Sequence, residues 1–323
     1  MYQVEELHAL INNRIKEIDF SIEPIELYSP IEYTLSGNGK RLRPLLTLIA
    51  TNMFSEEIHK ALNPAIGIEI FHNFTLLHDD IMDKAEIRRN KSTVHRKWNE
   101  NVAILSGDAM MIKAYECFFT LPSSMLADIL PVFNTAALQV CEGQQYDMNF
   151  ESRMDVTTDE YLQMISLKTA VLIAGSLKIG ALIGGSDKEN ADNLYDFGLN
   201  MGLIFQLQDD YLDVFGNEQT FGKQIGGDIT SNKKTFLLLS ALEKAQGETR
   251  NKLLYLLHVE PDTKAKINGI TQIYTEMDIP KIVENKIEFY HQKAKEALAK
   301  VSIADEKKQI LLNLSESLIH REK

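Results

Sequence analysis

Apolar residues recur at helical spacing along almost the whole chain, and this periodicity limits the possible folds more than any other feature. It runs through "PLLTLIATNMF" (44–54), "AILSGDAMMIKAYECFF" (103–119), "ADNLYDFGLNMGLIFQLQDDYLDVF" (191–215) and "KIVENKIEFYHQKAKEALAKV" (281–301). Residues at i, i+3, i+4 and i+7 share one helix face, so each segment needs neighbours on which to bury a stripe. No convincing set of alternating strands is present. Helix punctuation divides the segments: Ser36-Gly37-Asn38-Gly39 before a helix beginning near Pro44, Thr157-Thr158-Asp159-Glu160 as a capping signal, and Gly184-Gly185-Ser186 as a stop. With 323 residues, 44% of them hydrophobic, and no Ser/Gly-rich or charged linker, the expectation is one all-α domain over 1–323, a large helical bundle.

Other features exclude whole classes. Cys117 and Cys141 have no paired spacing, so neither a disulfide framework nor a thiolate zinc site is readable, and a reducing cytoplasm is the expected home. The N-terminus "MYQVEELHALINNRIKEI" lacks the basic start and apolar core of a signal peptide. The most apolar long window, Met164 to Gly185, is interrupted by Lys168 and Lys178, so it reads as a buried helix, or two in series, and no integral membrane segment is expected. A net charge of −12 argues against nucleic acid as a partner.

Against that background two acidic motifs stand out. "LLHDDIMD" (76–83) and "QLQDDYLD" (206–213) each end an apolar helical run. Residues four apart on a helix differ by ~40° in direction and ~6 Å in height, so Asp79 and Asp83 share a face, as do Asp209 and Asp213. Four carboxylates converging in a bundle interior would repel one another unless cations lay between them. All-oxygen sites suit a hard divalent ion, and Mg²⁺ keeps waters and bridges to substrate phosphates, which points to a phosphorylated substrate.

Basic clusters answer the acidic ones: Lys40, Arg41 and Arg43 in "GNGKRLRP", Arg88, Arg89 and Lys91 in "EIRRNK", Lys168 in "SLKTA", and Lys223, Lys233 and Lys234 in "FGKQIGGDITSNKKT". Lys and Arg give charge-assisted hydrogen bonds to phosphate oxygens, and the neighbouring glycines let backbone N–H groups approach. Two decoys compete. "GNEQTFGKQ" (216–224) misses the spacing and the hydroxyl residue of a P-loop. "EEIH" (56–59) and "EIFH" (69–72) both read Glu-x-x-His, the spacing of di-iron bundles, but stand close together with Pro64 between them.

Several motifs in order, "GKRLRP", "HDDIMD" followed by "RR", "GDAM" (107–110), "GQQYD" (143–147), "KT" (168–169), "FQLQDDYLD" (205–213) and "GKQIGGD" (222–228), resemble the trans-isoprenyl diphosphate synthases, the farnesyl and geranylgeranyl diphosphate synthase family. The resemblance implies the isoprenoid synthase fold, a helical bundle around a central cavity, usually as a homodimer. It implies three Mg²⁺ ions bound with substrate diphosphate, with Asp79, Asp83 and Asp209 as principal ligands and Asp80 and Asp213 as supporting acids. Lys40, Arg43, His72 and Arg89 match positions that hold isopentenyl diphosphate. Arg88, Lys168, Thr169, Gln206, Lys223 and Lys233 match positions around the allylic diphosphate. Departures from the usual pattern are Asn38 for a second adjacent glycine, Asn90 after the two arginines, and Ala170 after Lys-Thr.

The chemistry implied is ionisation of an allylic diphosphate, attack by the double bond of isopentenyl diphosphate, and loss of a proton. Phe74, about one turn before Asp79, can form the floor of the cavity, with the smaller Thr75 beside it. In the family this arrangement resembles short-chain synthases, so a C15–C20 product is expected, with C20 favoured over C15. The alternatives are a class I terpene cyclase, a non-catalytic subunit of a heteromeric synthase, and a di-iron bundle.

Overall fold

The computed structural model describes residues 2–37, 39–216 and 225–319. In chain order the helices are α1 (Val4–Lys16), α2 (Ile25–Leu35), α3 (Leu42–Phe54), α4 (His59–Met82), α5 (Val94–Lys97), α6 (Glu100–Phe118), α7 (Ser123–Ser152), α8 (Thr158–Ile165), α9 (Val171–Ile183) and α10 (Lys188–Phe215). They continue as α11 (Gly227–Thr230), α12 (Phe236–Lys244), α13 (Gly247–His258), α14 (Thr263–Glu276), α15 (Ile279–Ala299) and α16 (Asp305–Ile319). Extended structure among the described residues is one two-residue ladder, β1 (Ile87–Arg88) with β2 (Lys91–Ser92). Its turn residues Arg89 and Asn90 both have positive φ, 50° and 61°. A two-residue hairpin turn of this hand requires that, and asparagine tolerates it better than most residues, which accounts for Asn90.

The chain divides into two compact units, residues 1–133 with 175–194, and residues 134–174 with 195–323. In the first, α3 is buried from Pro44 to Met53, as a helix apolar all round must be. It begins at Leu42, and Pro44 lies in the first turn, where a missing N–H costs nothing. Helix α4 packs on α6 at Gly67, where a Cβ would stand 2.6 Å from the carbonyl oxygen of Ala114. Gly180 of α9 brings its backbone against α3 in the same way, and Thr51 Oγ1 donates to its carbonyl at 2.9 Å.

In the second unit α8 opens with the capping box read from the sequence: Thr157 Oγ1 accepts from the Glu160 N–H at 3.2 Å, and Glu160 Oε2 accepts from the Thr157 N–H at 2.9 Å. A single π-helical turn, Ser166–Ala170, then joins α8 to α9, so the apolar window is two helices in series. It stops as expected, with Gly185 at φ +86°. Among the described residues two segments, Ser123–Ser152 and Thr158–Ile183, are long and apolar enough to cross a membrane by length and composition, and 67% of the second one's apolar window is buried in the protein, as in a core helix.

Candidate active site

Helix α4 delivers the first acidic motif at its C-terminal end, with Asp83 as the capping residue. The two adjacent aspartates point apart, as a 100° step demands. Asp80 is buried and accepts from Arg88 Nε at 2.7 Å; Arg88 also lies 3.6 Å from Asp79. Burial raises the Asp80 carboxyl above its ordinary value, while the Arg88 charge opposes the rise. Asp79 and Asp83 form the i,i+4 pair on the other side, tied by the Asp83 N–H to the Asp79 carbonyl at 2.9 Å.

The second motif divides in the same way. Asp210 is buried and takes hydrogen bonds from the Tyr161 hydroxyl and from Gln206 Nε2, the latter at 3.0 Å. Burial, reinforced by Asp228, pushes its carboxyl well above the usual carboxylate range. Thr169 Oγ1 donates to Gln206 Oε1 at 3.2 Å, which extends the chain to the Lys-Thr turn. Asp209 and Asp213 are the half-buried i,i+4 pair. Asp213 also accepts from the backbone N–H of Asp228 at 3.0 Å, anchoring the start of α11.

Lys168 sits in the π turn and donates to Asp147 Oδ2 at 2.6 Å. Two glycines clamp that turn. A Cβ on Gly143 of α7 would stand 2.3 Å from the Lys168 nitrogen, and one on Gly202 of α10 would stand 2.4 Å from the Ala170 Cα. Both positions therefore require glycine, and a small Ala170 fits between them. Lys233 is exposed, with its N–H bonded to the Asp228 carbonyl at 2.9 Å. Lys223 and Asn38 lie outside the described residues.

A third constellation joins α3, α4 and the hairpin. Arg43 NH1 donates to His72 Nε2 at 3.1 Å. Arginine only donates, so Nε2 is the acceptor and the imidazole proton lies on Nδ1. Burial, helped by Arg43, Arg89, Arg88 and Arg41, holds His72 well below its usual pKa, so it is neutral at pH 7. Burial also lowers Arg43, to about 10, which leaves it cationic. Arg43 Nε is buried without a hydrogen-bond partner among the described residues. The Arg89 guanidinium lies against Gly39, where a Cβ would be 2.8 Å from NH1, and Lys40 is exposed beside it. An unpaired donor among arginines fits an incoming anion.

An aromatic cluster backs the first motif. Phe74 is buried, with ring centroids 5.4 Å from Phe71 and 4.8 Å from His78; Phe71 meets Phe133 at 5.3 Å, and Phe133 meets Phe118 at 4.6 Å. Gly107 of "GDAM" makes room for His78, since a Cβ there would be 2.2 Å from Nε2. Thr75 Oγ1 donates to the His72 carbonyl at 2.8 Å.

The di-iron alternative fails on geometry. Glu56 and His59 are exposed, Glu69 is bound to Arg41 at 2.7 Å, and His72 is held by Arg43. No group of three acidic, histidine or cysteine side chains that could hold a metal is found among the described residues. The outward aspartate pairs do fit an ion such as Mg²⁺, which keeps waters and completes its shell with phosphate oxygens instead of filling a protein cage.

Residues 24–277 match the family model described as polyprenyl synthetase. The chain is 41% identical over 249 residues, 77% of each protein, to the short chain isoprenyl diphosphate synthase of Methanothermobacter thermautotrophicus. It is 35% identical over 321 residues, 97% of each, to the geranylgeranyl diphosphate synthase of Methanosarcina mazei. A crystal structure of a geranylgeranyl pyrophosphate synthase superposes with a TM-score of 0.94 at 42% identity, covering 100% of both chains.

Proposed function

The chain belongs to the polyprenyl synthetase family and is a prenyltransferase with the all-α isoprenoid synthase fold, and on that premise we propose that it extends allylic diphosphates with isopentenyl diphosphate to make geranylgeranyl diphosphate. The observation that carries this reading is the repeated division of labour in the acidic motifs: an outward i,i+4 pair, and an inner aspartate locked by its own partners. Asp79 and Asp83, with Asp209 and Asp213, would hold three Mg²⁺ ions; Asp80 supports the first pair through Arg88. When bound, the metal supplies Lewis-acid neutralisation of diphosphate charge.

The side chains divide the remaining work. Arg88 and Lys168 donate charge-assisted hydrogen bonds to the departing allylic diphosphate, with Lys223, Lys233, Thr169 and Gln206 as further contacts. Asp147 holds the Lys168 ammonium in place. Arg43, Arg89 and Lys40 take the diphosphate of isopentenyl diphosphate, and neutral His72 offers it the Nδ1 proton. The isopentenyl double bond attacks the allylic cation, so no protein nucleophile is needed, and the proton lost goes to the released diphosphate. Apolar helix faces exclude the water that would quench the cation.

Phe74, next to Thr75, limits the growing tail, and its burial against Phe71 and His78 gives it a rigid backing. The working unit is a homodimer built from 1–323 as one catalytic domain. In favour of a dimer, Leu105, Ile112 and Phe119 recur every seven residues at the surface and are 60%, 60% and 63% exposed. The two free cysteines speak for a cytoplasmic enzyme.

The test incubates purified protein with Mg²⁺, isopentenyl diphosphate and each of the C5, C10 and C15 allylic diphosphates, and identifies products by mass spectrometry. A C20 product that disappears with EDTA is expected. Failure to elongate any primer sinks the reading, and an end product of C15, or one longer than C20, overturns the assigned length.

A further inference from the structure

Glu69 is the glutamate of the "EIFH" stretch, and the mechanism above gives it no task. It is 2% exposed, on the buried side of α4, and its Oε1 accepts from Arg41 NH1 at 2.7 Å and from Asn73 Nδ2 at 3.0 Å. Arg41, itself 5% exposed, is the residue before α3 and adopts the left-handed conformation, with φ 50°. A non-glycine residue there costs free energy and persists only where its surroundings hold it. The guanidinium supplies that hold: while NH1 meets Glu69, NH2 donates to the carbonyl of Leu35 and, at 2.9 Å, to that of Gly37. One planar fork thus fastens the end of α2, the turn after it and the start of α3 to a single carboxylate on α4.

That fastened segment carries the isopentenyl diphosphate groups. Lys40 directly precedes Arg41, and Arg43 lies in the first turn of the helix that Arg41 begins. His72, the partner of Arg43, lies three residues beyond Glu69 on α4. The Glu69 charge also acts on Arg43 and on Arg89. The carboxylate therefore sits where it can order the segment and offset the mutual repulsion of its cations.

We propose that Glu69 and Arg41 are positioning residues that set affinity for isopentenyl diphosphate, with Arg41 a fixed strut and not a ligand of the diphosphate. The proposal rests on the assignment of Lys40, Arg43, His72 and Arg89 to that substrate.

Two variants test it: Glu69→Gln, which keeps size and hydrogen-bonding atoms but removes the charge, and Arg41→Lys, which keeps the charge but cannot reach three acceptors in one plane. Each is compared with wild type by steady-state kinetics against both substrates, by calorimetric titration with isopentenyl diphosphate, and by thermal melting. The expected result is a rise of roughly tenfold or more in KM and Kd for isopentenyl diphosphate, the equivalent of one lost charge-assisted hydrogen bond. KM for the allylic diphosphate should stay near its wild-type value. A Glu69→Gln/Arg41→Gln double variant removes both charges. If it regains thermal stability but still binds isopentenyl diphosphate weakly, the ion pair positions the site.

If the double variant recovers stability and affinity together, or if KM rises equally for both substrates, the pair is merely structural and the proposal fails. A wild-type enzyme that elongates normally beside single variants with unchanged isopentenyl diphosphate affinity also refutes it, while leaving the synthase reading intact. A wild-type protein that elongates nothing refutes that reading instead.

Discussion

Replacing Gly143 by alanine perturbs Lys168, the lysine proposed to meet the departing diphosphate, without touching its side chain. The new Cβ would lie 2.3 Å from the Lys168 backbone nitrogen and 2.6 Å from its Cα. Comfortable contact begins near 3.5 Å, so the π turn has to retreat by roughly 1 Å. It has little room, because Gly202 on α10 already leaves no space for a Cβ beside Ala170. A misplacement of that size in a positioned group costs on the order of 10²-fold in rate, or about 2.7 kcal/mol of transition-state stabilisation. The assay is steady-state elongation, with thermal melting to confirm folding. The kcat should fall by about two orders of magnitude, while KM for isopentenyl diphosphate, assigned to groups on α3, α4 and the hairpin, stays put. Gly269→Ala is the control: the three atoms nearest its Cβ all belong to the Leu256 side chain, the first at 2.8 Å, and a change of rotamer relieves that contact. A Gly143→Ala enzyme that keeps kcat within about threefold of wild type, or less than 1 kcal/mol, would refute the claim that the clamped turn aims Lys168.

Three further predictions concern other parts of the molecule. Phe74→Ala should lengthen the product by at least one isoprene unit on mass spectrometry and lower stability by about 3–5 kcal/mol; an unchanged chain length removes Phe74 from its role as the stop. The folded-state pKa of His72 lies well below its ordinary 6.5, so the unfolded chain binds more protons between those values, and stability rises with pH through that window. Denaturant titrations from pH 7 to pH 5 should therefore show less acid destabilisation in His72→Gln, by up to about 1.4 kcal/mol per pH unit, and equal slopes would count against a buried neutral imidazole. Ile112→Lys, in the middle of the exposed α6 stripe, should shift the protein toward monomer in sedimentation velocity; an unaltered sedimentation coefficient places any dimer contact elsewhere.

What the sequence disclosed and what it hid differ by range of interaction. The Thr157–Glu160 capping box, the stop at Gly185 and the i,i+4 aspartate pairs are local, and local spacing reveals them. The partners of the inner aspartates are not local. Asp80 finds Arg88 beyond the helix end, in the first strand of the hairpin, and Asp210 finds Tyr161 on a different helix, where a tyrosine in an amphipathic pattern passes for core. The π turn has no signature of its own; Gly143 and Gly202, both distant in the chain, show why it is tolerated. Glu69 is visible in the sequence only as part of a Glu-x-x-His metal decoy, and the structure gives it an arginine. Carboxylate spacing on a helix is the same for either partner, so only the neighbouring element decides between them.

The two inner aspartates show why a tandem pair suits such a motif. The i,i+4 spacing puts the outward pair on one face but does not by itself set the rotation of the helix end about its axis. Adding an adjacent aspartate, 100° around the helix, turns one acid inward, where it is costly unless bonded, and its bonds then fix the rotation of the helix. The two motifs meet that cost by different means. Asp80 stays close to a guanidinium that also reaches Asp79, so its charge is balanced within the first motif. Among the described residues Asp210 takes its hydrogen bonds from a phenol and an amide, and burial raises its carboxyl to about 7, so the second motif lessens its inner charge through partial protonation near neutral pH. Both arrangements leave two carboxylates on the outer face and weaken the repulsion from the inner one, by a paired guanidinium in the first motif and by partial protonation in the second.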